Sequence, residues 1–326
     1  MRLELPFCRP FGRNEGLGRR LRQLILLSAG LVFLPFRLPA HDSPDHVIET
    51  LTAEMARTSA TPRLLVERAS EQRIMGRLPQ AAADLEKALQ LEPEFLPARI
   101  ELGRVYLAQG KAAEALKIVE RVMGVRSADA ERAALHMVRA EIFRAQRDYK
   151  KALEDCQQAL RLQAGDVEWY LSRSHLQAEL GKHKERLAGL EQGIKQTGGV
   201  VLENERVEAL IDAGQQRAAL ALIEPQLADS RWQSSWLIRR ARARLGLGEK
   251  EKAREDLRAA IAEINERFGP FNAFNPDLTL LVDRGVAEAL LGDLASARKD
   301  FQQARTAGMD EWSIRRLEAR AGLQVK

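Results

Sequence analysis

A turn signal that recurs about every 34 residues constrains this chain more than any other feature of its sequence. This signal, a glycine followed by a polar residue, recurs at Gly76, Gly110, Gly181, Gly214, Gly248 and Gly292. The intervals are 34, 71, 33, 34 and 44 residues, and Arg147 stands near the middle of the double-length interval, where a glycine is missing. Self-similarity at such a period is typical of helical repeat arrays, in which each unit buries its apolar face against its neighbours. The sequence therefore predicts one continuous array.

Apolar residues recur in phase after these turns. A small residue about five positions after the turn, a large apolar residue four later and a further, generally small residue three after that are found in five units: Ala81, Leu85 and Ala88; Ala115, Val119 and Val122; Ala152, Cys156 and Ala159; Ala253, Leu257 and Ala260; Ala297, Phe301 and Ala304. Spacings of four and three place these side chains on one helical face. With aromatic residues at only 5% of the chain, the pattern predicts an all-α fold.

In these positions the chain resembles the tetratricopeptide repeat (TPR) family, whose unit is a helix-turn-helix of 34 residues. Leu102, Gly103, Tyr106 and Gly285 match first-helix positions of the family, and Pro93 closes the first repeat in the family manner. The resemblance implies a right-handed solenoid of about seven repeats. We expect the array to cover residues 62–308, because the pattern is continuous there.

Repeat arrays need terminal elements that cover their last apolar faces. Residues 41–61 are predicted to hold an N-terminal capping helix, with Ser43 as N-cap and Pro44 at the first helical position. Residues 309–326 are predicted to form a C-terminal capping helix. We assign Trp312, Leu317 and Leu323 to its apolar face, and Arg315, Arg316 and Arg320 to its polar face.

Two repeats depart from the pattern. Arg186 occupies a small-residue position of the fourth repeat, and Pro225 lies inside the second helix of the fifth, where Gln226 takes another small position. Because a proline in a helix interior costs about 3 kcal/mol, we expect a bend or loosening there. The extra length between repeats six and seven falls around residues 268–276, which contain three phenylalanines. They form either an exposed contact patch or a plug over the helix ends.

Residues 1–40 have the organisation of a secretory signal peptide. An arginine-rich stretch precedes an apolar run of 13 residues, 24–36, and Ala40 follows shortly after it. The run is shorter than the roughly 20 residues that span a bilayer, so we expect cleavage after Ala40 and a periplasmic or secreted protein; an uncleaved membrane anchor is the alternative. The leader carries the whole net charge of +5. The neutral remainder argues against nucleic-acid binding.

The sequence lacks the common motifs of catalysis. It contains no glycine-rich phosphate loop, HExxH, GxSxG or CxxC, and Cys156 falls in an apolar packing position. We predict that the protein is not an enzyme and binds no cofactor. The alternative is an exported metal-handling or catalytic accessory protein, because cleavage would leave His41 at the new N-terminus with His46 nearby, and amine and imidazole nitrogens suit copper. A third reading is a cytosolic adaptor whose leader is retained.

The resemblance also implies a binding surface, since such arrays usually bind through the concave groove lined by the first helix of each repeat. Phasing from the turns places nine side chains there: Arg73, Arg104, Glu141, Arg144, His175, Glu179, Glu208, Asp212 and Arg242. The order is basic, mixed, acidic and basic, a pattern that can select a polypeptide segment by complementary charge; alternatively, each is an ordinary solvated side chain. We predict a non-enzymatic scaffold that binds a protein or peptide partner in this groove.

Overall fold

The computed structural model describes residues 43–268 and 277–323, where every element of regular structure is an α-helix. A leading helix, α1 (Pro44–Thr58), is followed by seven helix pairs and a final helix, α16 (Glu311–Arg320). The pairs are α2 (Pro62–Ile74) and α3 (Leu78–Leu91), α4 (Leu96–Ala108) and α5 (Ala112–Glu120), α6 (Asp129–Ala145) and α7 (Tyr149–Leu162), α8 (Val167–Glu179) and α9 (His183–Thr197), α10 (Val200–Asp212) and α11 (Gln216–Asp229), α12 (Ser234–Gly246) and α13 (Lys250–Phe268), and α14 (Leu278–Leu291) and α15 (Leu294–Thr306). The predicted all-α solenoid of seven repeats with flanking helices is confirmed.

A residue in the left-handed conformation makes the turn within each repeat. All six turn glycines have positive φ, from 66° at Gly181 to 97° at Gly292. Arg147 takes the same conformation at φ 61°, which confirms that it stands in for the missing glycine. Side chains with a Cβ adopt this region at a steric cost, so glycine is the usual residue there.

The positions predicted from the repeat pattern form the core. All fifteen residues of the five in-phase triplets are at most 1% exposed. Small residues allow close helix approach: a Cβ added at Gly103 would lie 2.8 Å from Val119 Cγ2. The core follows the array as successive clusters rather than as one central mass, as expected when each repeat packs only on its neighbours.

The helices form two layers. First helices of successive repeats pack on one another, α2 on α4, α4 on α6, α8 on α10, α10 on α12 and α12 on α14, and so line the inner, concave side. Second helices form the outer layer. In four repeats an arginine on the first helix donates to an aspartate 16 residues later on the second: Arg68 to Asp84, Arg139 to Asp155, Arg240 to Asp256 and Arg284 to Asp300.

The proline at Pro225 does not end its helix, because α11 continues through it from Gln216 to Asp229; the expected bend or loosening there stays a prediction. The leader of residues 1–40 lies outside the described residues, as do residues 269–276 of the insertion. The two readings of the insertion, as a plug or as a contact patch, therefore stay predictions. None of the described helices is long and apolar enough to cross a bilayer.

Candidate functional site

The final helix α16 does more than cover the last repeat. The Asp310 side chain caps its start by accepting from the Ser313 N–H at 3.0 Å, and Ile314 is fully buried in the core shared with the last repeats. Its other side enters the concave groove, where Arg320 Nη2 lies 3.4 Å from Glu205 Oε2, 115 residues earlier in the chain. The curvature of the array therefore brings the last helix against the first helices of its middle repeats.

Trp312 of α16 is held among cations and a histidine in the groove. The Arg144 guanidinium lies 4.3 Å from the indole centroid and that of Arg316 lies 5.0 Å from it. The His175 ring meets the indole edge to face, with centroids 5.4 Å apart. Cations attract the faces of aromatic rings, so Arg144 and Arg316 favour this position. The assignment of Trp312 to the apolar face of the helix was therefore wrong.

Arg186 is the buried centre of the polar contacts beneath α16. Its side chain has no exposed surface and donates to Glu205 Oε1 at 2.7 Å, to Asp212 Oδ2 at 2.8 Å and to Ser174 Oγ at 3.0 Å. A buried guanidinium is tolerated only when its N–H groups find acceptors. The departure from the small-residue pattern at Arg186 thus places a positive charge inside the array, next to the groove.

The carboxylates of α10 join the array to α16. Glu205 faces Arg316 at 3.7 Å in addition to Arg320 and Arg186. Glu208 pairs with Arg239 at 2.9 Å and with Arg242, and lies 3.8 Å from Arg320 Nε. We call the charged side chains of the array in this region the groove cluster: Glu179, Glu205, Glu208, Asp212, Asp283, Arg186, Arg239 and Arg242.

Comparison with known proteins agrees with this architecture. Two sequence models, both described as tetratricopeptide repeat, match residues 73–142 and 124–167. The matched residues are tetratricopeptide repeats, and the described array has the TPR fold. The crystal structure of a TPR protein from Parabacteroides merdae is similar at 19% identity with a TM-score of 0.56, covering 80% of this chain and 98% of that one. A thermophilic TPR protein from Thermus thermophilus matches at 21% identity with a TM-score of 0.42, covering 56% and 99%. None of the curated proteins compared with the chain matches it.

Charge complementarity sets the protonation of this TPR groove. Burial alone would raise the pKa of Glu205 and Glu208, but the His175 hydrogen bond and the arginines hold the pKa of Glu205 well below its usual range, and Arg320 and Arg242 do the same for Glu208. Burial lowers the pKa of His175 to about 4, although Glu205 opposes the shift. The groove therefore holds ionised carboxylates beside a neutral imidazole.

His175, Glu205 and Glu208 are expected to lose their stabilising contributions to the TPR array in two steps as the pH is lowered. Between pH 6.5 and about 4, the histidine of the unfolded chain binds a proton that folded His175 does not, so the contribution of His175 to the free energy of unfolding falls as the pH is lowered. Asp283 and Glu288, whose pKa values burial raises to about 6 and about 7, contribute in the opposite direction, so the comparison with a His175 variant isolates this step. Below about pH 4.3 the same holds for Glu205 and Glu208, whose folded pKa values are depressed. Urea unfolding at pH 7, 5 and 3 measures both steps. The variant His175→Gln should lose only the first step; equal pH dependence of variant and wild type above pH 4 would contradict the assignment.

The nine residues predicted for the TPR groove fall into two groups. Arg144, His175, Glu179, Glu208, Asp212 and Arg242 surround α16, which already fills that stretch. The other three, Arg73, Arg104 and Glu141, lie earlier along the groove. There Arg73 Nε donates to Glu101 at 2.6 Å, and Arg104 Nη1 donates to the same carboxylate at 3.1 Å. Burial raises the pKa of Glu141, although Arg104, Arg144 and Arg73 oppose the shift. Partner binding by the nine stays a prediction.

Two other candidates of the TPR chain are the Cys156 thiol, which has a packing role, and the pair His41 and His46, of which only His46 lies within the described residues. Cys156 is fully buried, burial raises its pKa to about 12, and its Sγ donates to the Trp169 carbonyl at 3.3 Å, so the thiol is not an activated nucleophile. His46 lies on α1, but His41 is outside the described residues and the proposed metal pair stays a prediction. Within the described ranges no group of three potential ligands is suited to a metal ion.

Sequence reasoning missed several residues that build the groove contacts: Glu205, Arg239, Trp312, Arg316 and Arg320. The signal for the last three was their spacing, because residues four apart share one helical face. That face combines one aromatic and two arginine side chains, which differs from an ordinary solvated surface. The signal for Glu205 was its neighbour Glu208, one turn away on α10.

Proposed function

We propose that this TPR protein is an exported, non-enzymatic interaction scaffold that holds a segment of a partner protein in its concave groove. One observation carries the proposal: the groove already holds a helix, α16, through ring contacts and ion pairs with α6, α8 and α10. A groove that accommodates a helix of its own chain has the width and the charges that a polypeptide segment needs. The signal-peptide organisation of residues 1–40 supports export.

The part of the groove before α16 offers a place for such a segment. Arg73 and Arg104 line it, with side chains 27% and 35% exposed, and both pair with the nearly buried Glu101. Arg144 continues the basic stretch towards Trp312. Three arginines so placed favour a segment that carries carboxylates, by the same complementarity that joins α16 to the acidic side chains further along.

The test is cross-linked affinity purification of the C-terminally tagged chain from its native cells, followed by mass spectrometry. We expect a reproducible partner that is lost from the double variant Arg104→Glu and Arg144→Glu, because the reversed charges repel the carboxylates of the segment. Arg161→Glu is the matched control, because Arg161 is exposed on the second helix α7, and this variant should retain the partner. The N-terminal peptide of the purified protein should begin at His41.

A partner retained equally by the groove variant and by the Arg161→Glu control would contradict binding in the groove. Recovery of the chain from its cells with Met1 and the leader intact, in the cytosol, would contradict export. The two results are independent, since an adaptor in the cytosol can still use its groove.

A further inference from the structure

We propose that the groove of repeats 3 to 6 is a binding site for a helix that presents an aromatic ring followed by two cationic side chains at four-residue spacing, with α16 as its internal competitor. This inference rests on the proposed function, because it names the chemistry of one segment that the groove accepts. Trp312, Arg316 and Arg320 supply the pattern, and each of them contacts first helices of the array.

The charge of the groove determines which side chains a bound helix must carry. Glu205 and Glu208 each face arginines of the array, Arg186 for Glu205 and Arg239 and Arg242 for Glu208. The two arginines of α16 come to the same two carboxylates, Arg316 within 3.7 Å of Glu205, and Arg320 within 3.4 Å of Glu205 and 3.8 Å of Glu208. Glu208, Glu205 and Asp212 raise the pKa of Arg320 above its ordinary value even though burial opposes them. An occupant without two cations would take from the buried carboxylates of Glu205 and Glu208 the cations that Arg316 and Arg320 supply, which is unfavourable.

The aromatic position is defined just as narrowly. An indole fits between Arg144, 4.3 Å from its centroid, and His175, whose ring meets it edge to face. An aliphatic side chain would give up both interactions. The order along the helix follows from the array, because Arg144 and His175 come from repeats 3 and 4 and the carboxylates facing the two arginines of α16 come mainly from repeat 5.

The contacts between α16 and the groove leave room for a better-fitting helix. The indole N–H of Trp312 is buried and donates no hydrogen bond within the described part of the chain, so a better-fitting helix gains a contact that α16 lacks. The helix has only 10 residues, too few to be stable by itself. Its apolar anchor, Ile314, lies on the side of the last repeat, and Arg305 ties it there through Glu311 at 2.8 Å and Glu318 at 2.9 Å. Contacts with the groove and with the last repeat are thus made by separate side chains.

Fluorescence anisotropy with a labelled synthetic peptide of residues 310–323 tests the proposal on the full chain. The opened variant carries Trp312→Ala, Arg316→Ala and Arg320→Ala, which remove the groove contacts and leave Ile314 in place. We expect the peptide to bind this variant at least about tenfold tighter than wild type, since the tethered helix competes at a high effective concentration. A peptide with the same three alanines should bind neither chain.

Arg315→Ala is the matched control, because Arg315 lies on α16 but pairs with Glu311, outside the groove, at 3.0 Å; its affinity for the peptide should equal that of wild type. If the triple variant does not fold, Trp312→Ala alone is used as the opened variant. Equal binding to wild type and opened variant, or no binding to a folded opened variant, would overturn the proposal. A partner recovered from cells in spite of that result would leave the proposed function standing, whereas peptide binding with no partner recovered would count against the function alone.

Discussion

Replacing Arg186 by alanine is expected to lower the free energy of unfolding by about 3 to 5 kcal/mol, the usual effect of removing one member of a buried ion pair. The guanidinium has no exposed surface and bonds to Glu205, Asp212 and Ser174. Its removal leaves a cavity and takes the closest cation from Glu205. Urea unfolding followed by circular dichroism at pH 7 measures the change, and hydrogen exchange should place it in repeats 4 and 5.

Arg206→Ala is the matched control for this prediction. Arg206 lies on α10, the helix that carries Glu205 and Asp212, but its ion pair with Glu191 is exposed and 3.3 Å long, and such pairs contribute about 0 to 1 kcal/mol. If Arg186→Ala costs no more than the Arg206→Ala control, the groove cluster has enough water or freedom to reorganise, and Arg186 is not its centre.

The sequence predicts local geometry in this protein well because local geometry depends on short spacings. A turn that needs positive φ selects glycine, and an interface between close helices selects small side chains, so Gly103 and the in-phase alanines reveal the array. Arg147 could be recognised as a turn residue because the neighbouring repeats fix its position. These features recur from repeat to repeat, and their recurrence distinguishes them from chance matches.

The position of α16 could not be predicted in the same way. It depends on the accumulated curvature of several repeats, which no single spacing encodes, and it joins residues as far apart as Glu205 and Arg320. Trp312 was misassigned because a tryptophan on a terminal helix usually covers an apolar face. Arg186 was recognised as a departure from the pattern, but its acceptors Glu205 and Asp212 come from the next repeat.

Replacing Phe301 by alanine is expected to release α16 and to cost about 3 to 5 kcal/mol, the usual range for a buried phenylalanine. Phe301 is fully buried in the second helix of the last repeat, and its ring packs so closely on α14 that a Cβ added at Gly285 would lie 3.4 Å from it. Because α16 packs on α14 and α15, loosening this repeat removes the support of the helix. Hydrogen exchange measured by mass spectrometry should show lost protection in α14, α15 and Glu311–Arg320.

Leu85→Ala provides the control, since Leu85 is fully buried in the same position of the first repeat and its loss costs about 2 to 5 kcal/mol. In a repeat array stability is a sum over neighbouring units, so this change should weaken α1 to α4 and leave α16 protected. If both variants release α16 equally, the array unfolds as one cooperative unit. If Phe301→Ala leaves α16 protected, the groove contacts of Trp312 and the two arginines hold the helix without help from the last repeat.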